Sequence, residues 1–333
     1  MKPFSISIVL FLLMLSCKQG PKTSDGDPEP VAQVSTTSPE EGKKLMESKC
    51  YLCHNPSVPE NGQRIGPPMV AVKAHYLDAY KDKEAFVKAV MGFVNAPSED
   101  NTQMRGAVRR FGLMPAQQFP EEEIRKIAEY MFDYQIEEPD WFKEHWMERR
   151  GDSLYNKGKK PSKSSSEQGP KELGMKYALE TKKLLGQNLM GTIQNQGVEE
   201  AVLFCNERAY PLTDSMSTNF NARIKRVSDK PRNPNNRANA VELTHIETFK
   251  NKVAAGESVE PILKEENGEV YFYYPIVTNT MCLNCHGKPE TNIAPEVLSH
   301  LSRLYPDDEA IGYGPDEVRG IWSIVFDASN SGK

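Results

Sequence analysis

Two five-residue strings in this 333-residue chain hold the residue types of a covalent cofactor site: CYLCH, from Cys50 to His54, and CLNCH, from Cys282 to His286. Two thiols spaced this way lie about one helical turn apart, so both can add to vinyl groups of one porphyrin. The histidine that follows offers its imidazole to the iron from the same side. With six cysteines and six histidines in the chain, chance supplies roughly 0.002 such strings, so two of them are a signal. A thioredoxin-like pair needs no histidine after its second thiol, and a Cys₄ zinc site made from both pairs would leave both histidines idle. The cofactors expected are therefore two covalently bound haem c. One is attached through Cys50 and Cys53 with His54 on its iron, the other through Cys282 and Cys285 with His286 on its iron.

A single histidine leaves the opposite face of each iron open. Near the first string, Met114 lies in FGLMPAQQFP, a polar loop ahead of a helical pattern, where an apolar side chain has little reason to sit unless something buries it. Lone methionines often only fill cores, and Met69, Met104 and His75 are rivals in the same half. Near the second string the candidate is Cys205, the cysteine left over when four thiols go to thioethers and Cys17 to lipid. Its periodic neighbours Val198, Ala201 and Val202 turn it toward a core, where it is either a small apolar filler or a sulfur ligand opposite His286. Arg232 and Arg237 flank RNPNNR and can pair bidentately with haem propionates. His245 and His300 have polar neighbours in helical stretches and read as structural.

The elements that must position these groups fall into two halves. A helix from Ser38, capped by Ser38 and Glu41, runs into Cys50. Two more helical stripes follow, one on Phe86, Val87, Val90, Phe93 and Val94, the other on Ile124, Ile127, Ala128 and Met131, and no strand is expected before residue 140. A short helix with Trp141 and Trp146 then gives way to a Lys, Ser, Gly and Pro-rich spacer over about 151–171. The second half opens on a long helix carrying Met175, Ala178, Leu185, Leu189 and Ile193, and the helix that carries Cys205 follows. Strands are expected at IKRVSD, EVYFYYPIV and GIWSIVF, with helices near 241–255 and 295–304. The fold class expected is multidomain: an all-α domain over 38–135, a short helix and linker over 136–171, and an α+β domain over 172–327.

Before residue 38, Lys2 precedes an apolar run from Ile8 to Leu15 that is too short to span a bilayer and reads as an export signal over 1–17. Its end, LMLSC, resembles the lipobox of bacterial lipoproteins, which implies lipidation of Cys17 and a membrane contact through that lipid. Residues 18–37 read as a flexible tether. The expected location is the cell envelope, periplasmic or on the outer surface. A net charge of −5 gives no basic surface for nucleic acid.

Over residues 38–135 the succession of a helix into CYLCH, then IGPP, then a loop methionine followed by proline, then a closing helix resembles class I cytochromes c. The resemblance implies His54 and Met114 as axial ligands, Pro67 shaping the histidine side and Tyr130 packing on the closing helix. Over about 171–327, the strings AVLFCNERAYPL, RVSDKPRNPNNRAN, YYPIVTNTMCLNCHGKP and LYPDDEAIGYGPDEVRGIWSIVF resemble an exported haem-c domain family of PAS-like fold. That resemblance implies His286 and Cys205 as axial ligands. Methionine opposite histidine raises a haem potential and anionic sulfur lowers it, so the two irons would differ in kind. The function expected is a membrane-anchored dihaem c-type cytochrome passing electrons between redox partner proteins, an electron carrier more than an enzyme. The alternative is a haem-based redox or gas sensor, in which Cys205 releases the iron. A dihaem peroxidase shares both CxxCH strings but not the second half.

Overall fold

Three amphipathic helices and one that is mostly buried build the first half. The structure, a computed structural model, describes residues 39–60, 62, 64–151, 153–161 and 169–330. The Ser38 cap, the 1–17 signal with Cys17, and the 18–37 tether lie outside the described residues. Helix α1 (Pro39–Lys49) runs to the first pentapeptide and packs on α5 (Glu121–Asp133). The opening turn of α5 carries Glu121, Glu122 and Glu123, which favour the positive end of its helix dipole. Helix α3 (Lys83–Asn95) starts where the Asp82 carboxylate accepts from the Ala85 N–H. Between them α2 (Met69–Ala79) buries Met69, Val70, Ala71, Lys73, Ala74, Tyr76 and Leu77. Apolar residues on most sides of α2 blur any 3.6-residue stripe, although Val72 and His75 are half-buried and Asp78 and Ala79 exposed. The short α4 (Arg105–Phe111) buries none of its residues.

One core unites Met46, Tyr51, Met69, Val70, Phe86, Val90, Ile127 and Met131 with Phe142 and Trp146 of α6 (Phe142–Arg150) and with Tyr155 beyond it. The polar stretch after Gly151 is thus held to the first half as far as Lys159, whose N–H donates to the Asp133 carbonyl. Lys73 fastens this return. It is completely buried, and its Nζ donates to the carbonyls of Tyr134 and Lys157, both at 2.5 Å. Burial pulls its pKa down to about 7 from an ordinary 10.5, against the attraction of Glu138 and Asp133. Above pH 7 the unfolded chain therefore binds this proton more tightly than the folded one, and stability rises with pH until the unfolded amine also titrates. We expect the unfolding free energy to rise by roughly 2 kcal/mol from pH 7 to pH 9 in urea titrations. Lys73→Met should flatten that rise.

In the second half α7 (Pro170–Gln196) and α8 (Val198–Phe220) form a helical hairpin that turns at Gly197, where φ is 93°. A four-stranded antiparallel sheet follows in the order β1-β4-β3-β2, from β1 (Arg223–Val227), β2 (Ile262–Glu266), β3 (Glu269–Val277) and β4 (Val318–Asp327). One face of the sheet gives Ile224, Val270, Phe272, Trp322, Ile324 and Phe326 to a core with Leu173, Tyr177, Ala178 and Leu185 of α7. The other receives Ile246 and Phe249 of α9 (Ala240–Ala254). The expected α+β half and the alternation of β3 and β4 are present as read. The edge strand β2, ILKEE, went unread because its Lys264, Glu265 and Glu266 are exposed and leave no apolar alternation; such charge suits an unpaired edge. A 3₁₀ turn (Thr280–Cys282) and helix α10 (Leu283–His286) together hold the second pentapeptide, and α11 (Pro295–Leu304) packs against α8. Among the described residues no helix is long and apolar enough to cross a membrane.

Candidate haem centres

At the first pentapeptide α1 gives way to a turn in which the His54 N–H donates to the Cys50 carbonyl at 2.9 Å. Both thiols are free and half-buried. Burial pushes the Cys50 thiol up to about 12 and the Cys53 thiol up to about 11. The His54 Nδ1 lies 2.7 Å from the Pro67 carbonyl, so Nδ1 carries the proton and donates, and Nε2 keeps its lone pair. Burial holds the ring neutral by lowering its pKa, with the Pro67 carbonyl opposing. Gly66 makes this fit possible, since a Cβ there would lie 3.3 Å from His54 Cε1. Pro67 thus acts on the histidine through its carbonyl oxygen. Tyr130 is buried and stacks on Tyr134 with ring centroids 5.2 Å apart.

Met114 lies half-buried in the irregular segment between α4 and α5, beside the exposed Leu113, and belongs to none of the apolar cores. Its rivals are accounted for by packing. Met69 is a core residue and Met104 packs against the same core. His75 meets the Trp146 ring edge-on at 5.3 Å and has Arg150 beside its Nδ1.

The second pentapeptide is fixed from both sides. The Asn279 side chain accepts from the Cys282 N–H, and the Thr278 hydroxyl donates to the Gly314 carbonyl at 2.7 Å. The N–H groups of Gly312 and Tyr313 donate to the carbonyls of Gly287 and His286. His286 repeats the arrangement of His54: its Nδ1 donates to the Ala310 carbonyl at 2.8 Å. Burial lowers its pKa well below the ordinary histidine value, and Arg319 and Arg232 lower it further.

Cys205 is half-buried and belongs to no apolar core, although Ala201, Val202 and Ala209 on the same helix are buried. Its neighbours one turn before and after, Ala201 and Ala209, are buried, so it lies on the inward side of α8 without joining an apolar core. Burial raises its pKa, while Arg226, Arg232 and Arg319 pull it down, and the Cys285 thiol is within electrostatic reach. The same three arginines lower the pKa of His286, so Cys205 and His286 both lie within electrostatic reach of one group of cations.

The arginines singled out from the RNPNNR loop have other partners. The Arg232 Nε donates to Asp308 Oδ2 at 2.9 Å, and its Nη2 donates to the carbonyls of Cys285 and Ala310. It braces the loop that orients His286. Arg237 is exposed and pairs with Glu309. Arg226 and Arg319, on β1 and β4, form no ion pair among the described residues, and the buried Arg319 Nε has no hydrogen-bond partner. Sequence reading missed them, and the sequence signals only one of them: Arg319 is a charge inside the apolar run of β4, whereas Arg226 is one of three charges in RIKRV. His145, His245 and His300 lie against Glu60, Tyr273 and Glu199 respectively.

Among the described residues no three of His, Cys, Asp and Glu gather into a site for a bare metal ion. Each centre offers instead two free thiols and one imidazole with a bare Nε2, a donor set that suits iron bringing its own four equatorial nitrogens. The residues therefore fit haem.

Comparison with family models matches residues 39–133 to Cytochrome c and residues 117–326 to Tll0287-like: Tll0287. Among solved structures, the cyanobacterial heme-protein Tll0287 is similar at 20% identity, covering 48% of this chain and 96% of that one, with a TM-score of 0.36. No curated protein matches.

Proposed function

Since this chain belongs to the Tll0287-like family and carries a cytochrome c domain ahead of that family's domain, we propose that it is a dihaem c-type cytochrome that exchanges electrons with redox partner proteins. The observation that carries the reading is the repeated arrangement of two free thiols followed by a histidine whose Nδ1 is tied to a backbone carbonyl. A haem bound at such a site supplies one-electron chemistry. The protein's part is to hold it: Cys50 and Cys53 form thioethers at the first site, and Cys282 and Cys285 at the second. His54 and Met114 serve as axial ligands at the first, His286 and Cys205 at the second. The carbonyls of Pro67 and Ala310 keep each imidazole in the tautomer that ligates and make it more basic.

Haem propionates need cations that are not already spent. Arg226 and Arg319 fill this role at the second site, because neither is paired with a carboxylate and the Arg319 Nε is buried without a partner. Arg64 offers a cation at the first, where it lines a small cavity with Cys53 and Gly66; its Nη2 donates to the Glu60 carbonyl, but its buried Nε has no partner and it pairs with no carboxylate among the described residues. The apolar run Ile8 to Leu15 ahead of Cys17 supports export and attachment to a membrane of the cell envelope through lipid on Cys17.

Intact-mass analysis of protein from a host competent in haem c maturation tests the reading. Wild type is expected to carry two haems. A Cys50→Ala, Cys53→Ala double variant should lose one, and a Cys282→Ala, Cys285→Ala variant the other. A bare polypeptide, or one haem in wild type, overturns it.

A further inference from the structure

We infer that α7, an element of the second half, also walls the first haem site, with Gly186 and Gln187 closing the edge to which the thioethers attach. The inference rests on the haem reading of that site.

The opening turns of α7 pack into the sheet core of the second half through Leu173, Tyr177, Ala178 and Leu185. From Lys182 onward the same helix runs along the first pentapeptide. Ahead of the pentapeptide, the Lys182 Nζ donates to the Ser48 carbonyl at 2.9 Å. Beyond it, the Lys183 Nζ donates to the Ser57 hydroxyl at 3.3 Å and the Gln194 Nε2 to the Ile65 carbonyl at 3.2 Å. At the pentapeptide itself the contact is Gly186, where a Cβ would lie 2.0 Å from Leu52 Cδ1 and 3.1 Å from Leu52 Cγ. Glycine weakens a helix interior, and Gly186 has no positive φ that would call for it, so its presence goes with the close approach of Leu52. Consecutive side chains on a helix point about 100° apart, so Leu185 meets the sheet while Gly186 meets Leu52.

Leu52 stands between the two cysteines of CYLCH. Thioethers from Cys50 and Cys53 join two vinyl groups, so the residues between them run along the porphyrin edge that carries those groups. What covers Leu52 and Cys53 therefore covers that edge. Gln187 completes the cover. With Leu52, Cys53, Arg64 and Gly66 it lines a cavity of about 10 Å³, room for one water at most, and its buried Nε2 has no hydrogen-bond partner. Oxidation adds a positive charge to the iron, and surroundings that exclude water stabilise that charge poorly. By keeping bulk water from the thioether edge, α7 raises the potential of the first haem, and the first site is complete only with the second half docked on it.

Optical redox titration of the full chain tests this, with intact mass confirming two haems in each variant. The wave of the first haem is the one lost in the Cys50→Ala, Cys53→Ala variant. Gly186→Phe, which pushes α7 off Leu52, is expected to lower the ferrous-to-ferric ratio of that haem at fixed potential by about twofold to tenfold and to leave the other wave in place. Gln187→Glu keeps the side-chain shape and sets a carboxylate in the cavity; it should lower the same wave alone, and it reports even if Gly186→Phe fails to fold. Gly186→Ala should give a smaller shift of that wave, and none in a Leu52→Ala chain, where the added methyl has room. A first wave left unmoved by Gln187→Glu or by folded Gly186→Phe, or a second wave that moves with it, overturns the inference while a two-haem mass stands. Wild type without a haem at Cys50 and Cys53 instead overturns the reading beneath it.

Discussion

Cys205→Ala is expected to keep both haems on the chain yet raise the lower of the two midpoint potentials, by on the order of 0.1 V or more within the range that axial ligation spans. The attachment should survive because Cys282 and Cys285 are untouched and His286 stays tied to the Ala310 carbonyl. The fold should survive because Cys205 is a half-buried helix residue outside every apolar core, and alanine favours helix. What disappears is the sulfur proposed as the ligand opposite His286, near Arg226, Arg232 and Arg319. Carbon monoxide should then bind the reduced second haem of the variant and move its Soret band. An unchanged lower wave and no carbon monoxide binding in a variant with two haems would reduce Cys205 to a packing residue. Arg232→Met is the comparison that separates ligand from support. It removes the donor to the Cys285 and Ala310 carbonyls, loosens His286, and leaves the sulfur in place.

How much of this was legible in the sequence follows from the chemistry of each part. The pentapeptides could be read because thioether attachment needs two thiols and an imidazole within one turn, so the whole requirement falls on five consecutive residues. Met114 and Cys205 could be nominated because each breaks a local rule, an apolar residue in a polar loop and an odd thiol. Nothing local fixes what they face, since that depends on residues far along the chain. The arginines went the other way: RNPNNR drew the eye to Arg232 and Arg237, but Asp308 and Glu309, more than seventy positions later, hold them. Arg226 and Arg319 pass unremarked in strands, because only sheet pairing brings Arg226 opposite Trp322 on the strand that carries Arg319. Helix α2 shows the same limit at the level of elements. Amphipathic α3 and α5 announce themselves by a stripe, whereas the mostly buried α2, with Lys73 donating to carbonyls of later segments, has none.

Met114→Ala carries the second large effect, now at the first centre. Methionine opposite histidine is the high-potential arrangement, so removing it is expected to lower the upper wave by on the order of 0.1 V or more. The near-infrared sulfur-to-iron band of the oxidised protein should vanish with it. Met69→Leu and Met104→Leu supply the contrast, because both side chains pack in the core of the first half. Swaps of leucine for core methionine conserve volume and cost less than about 1.5 kcal/mol, so these variants should fold, keep the band and keep the potential. Loss of the band in Met69→Leu or Met104→Leu, with its survival in Met114→Ala, would move the axial sulfur elsewhere on the chain. Met114→His sharpens the case further, since a second imidazole restores six ligands without the thioether. That variant should exclude carbon monoxide, as is expected of wild type, yet titrate at a lower potential. Only a residue that reaches the iron, and not one that merely fills space, gives that pair of results.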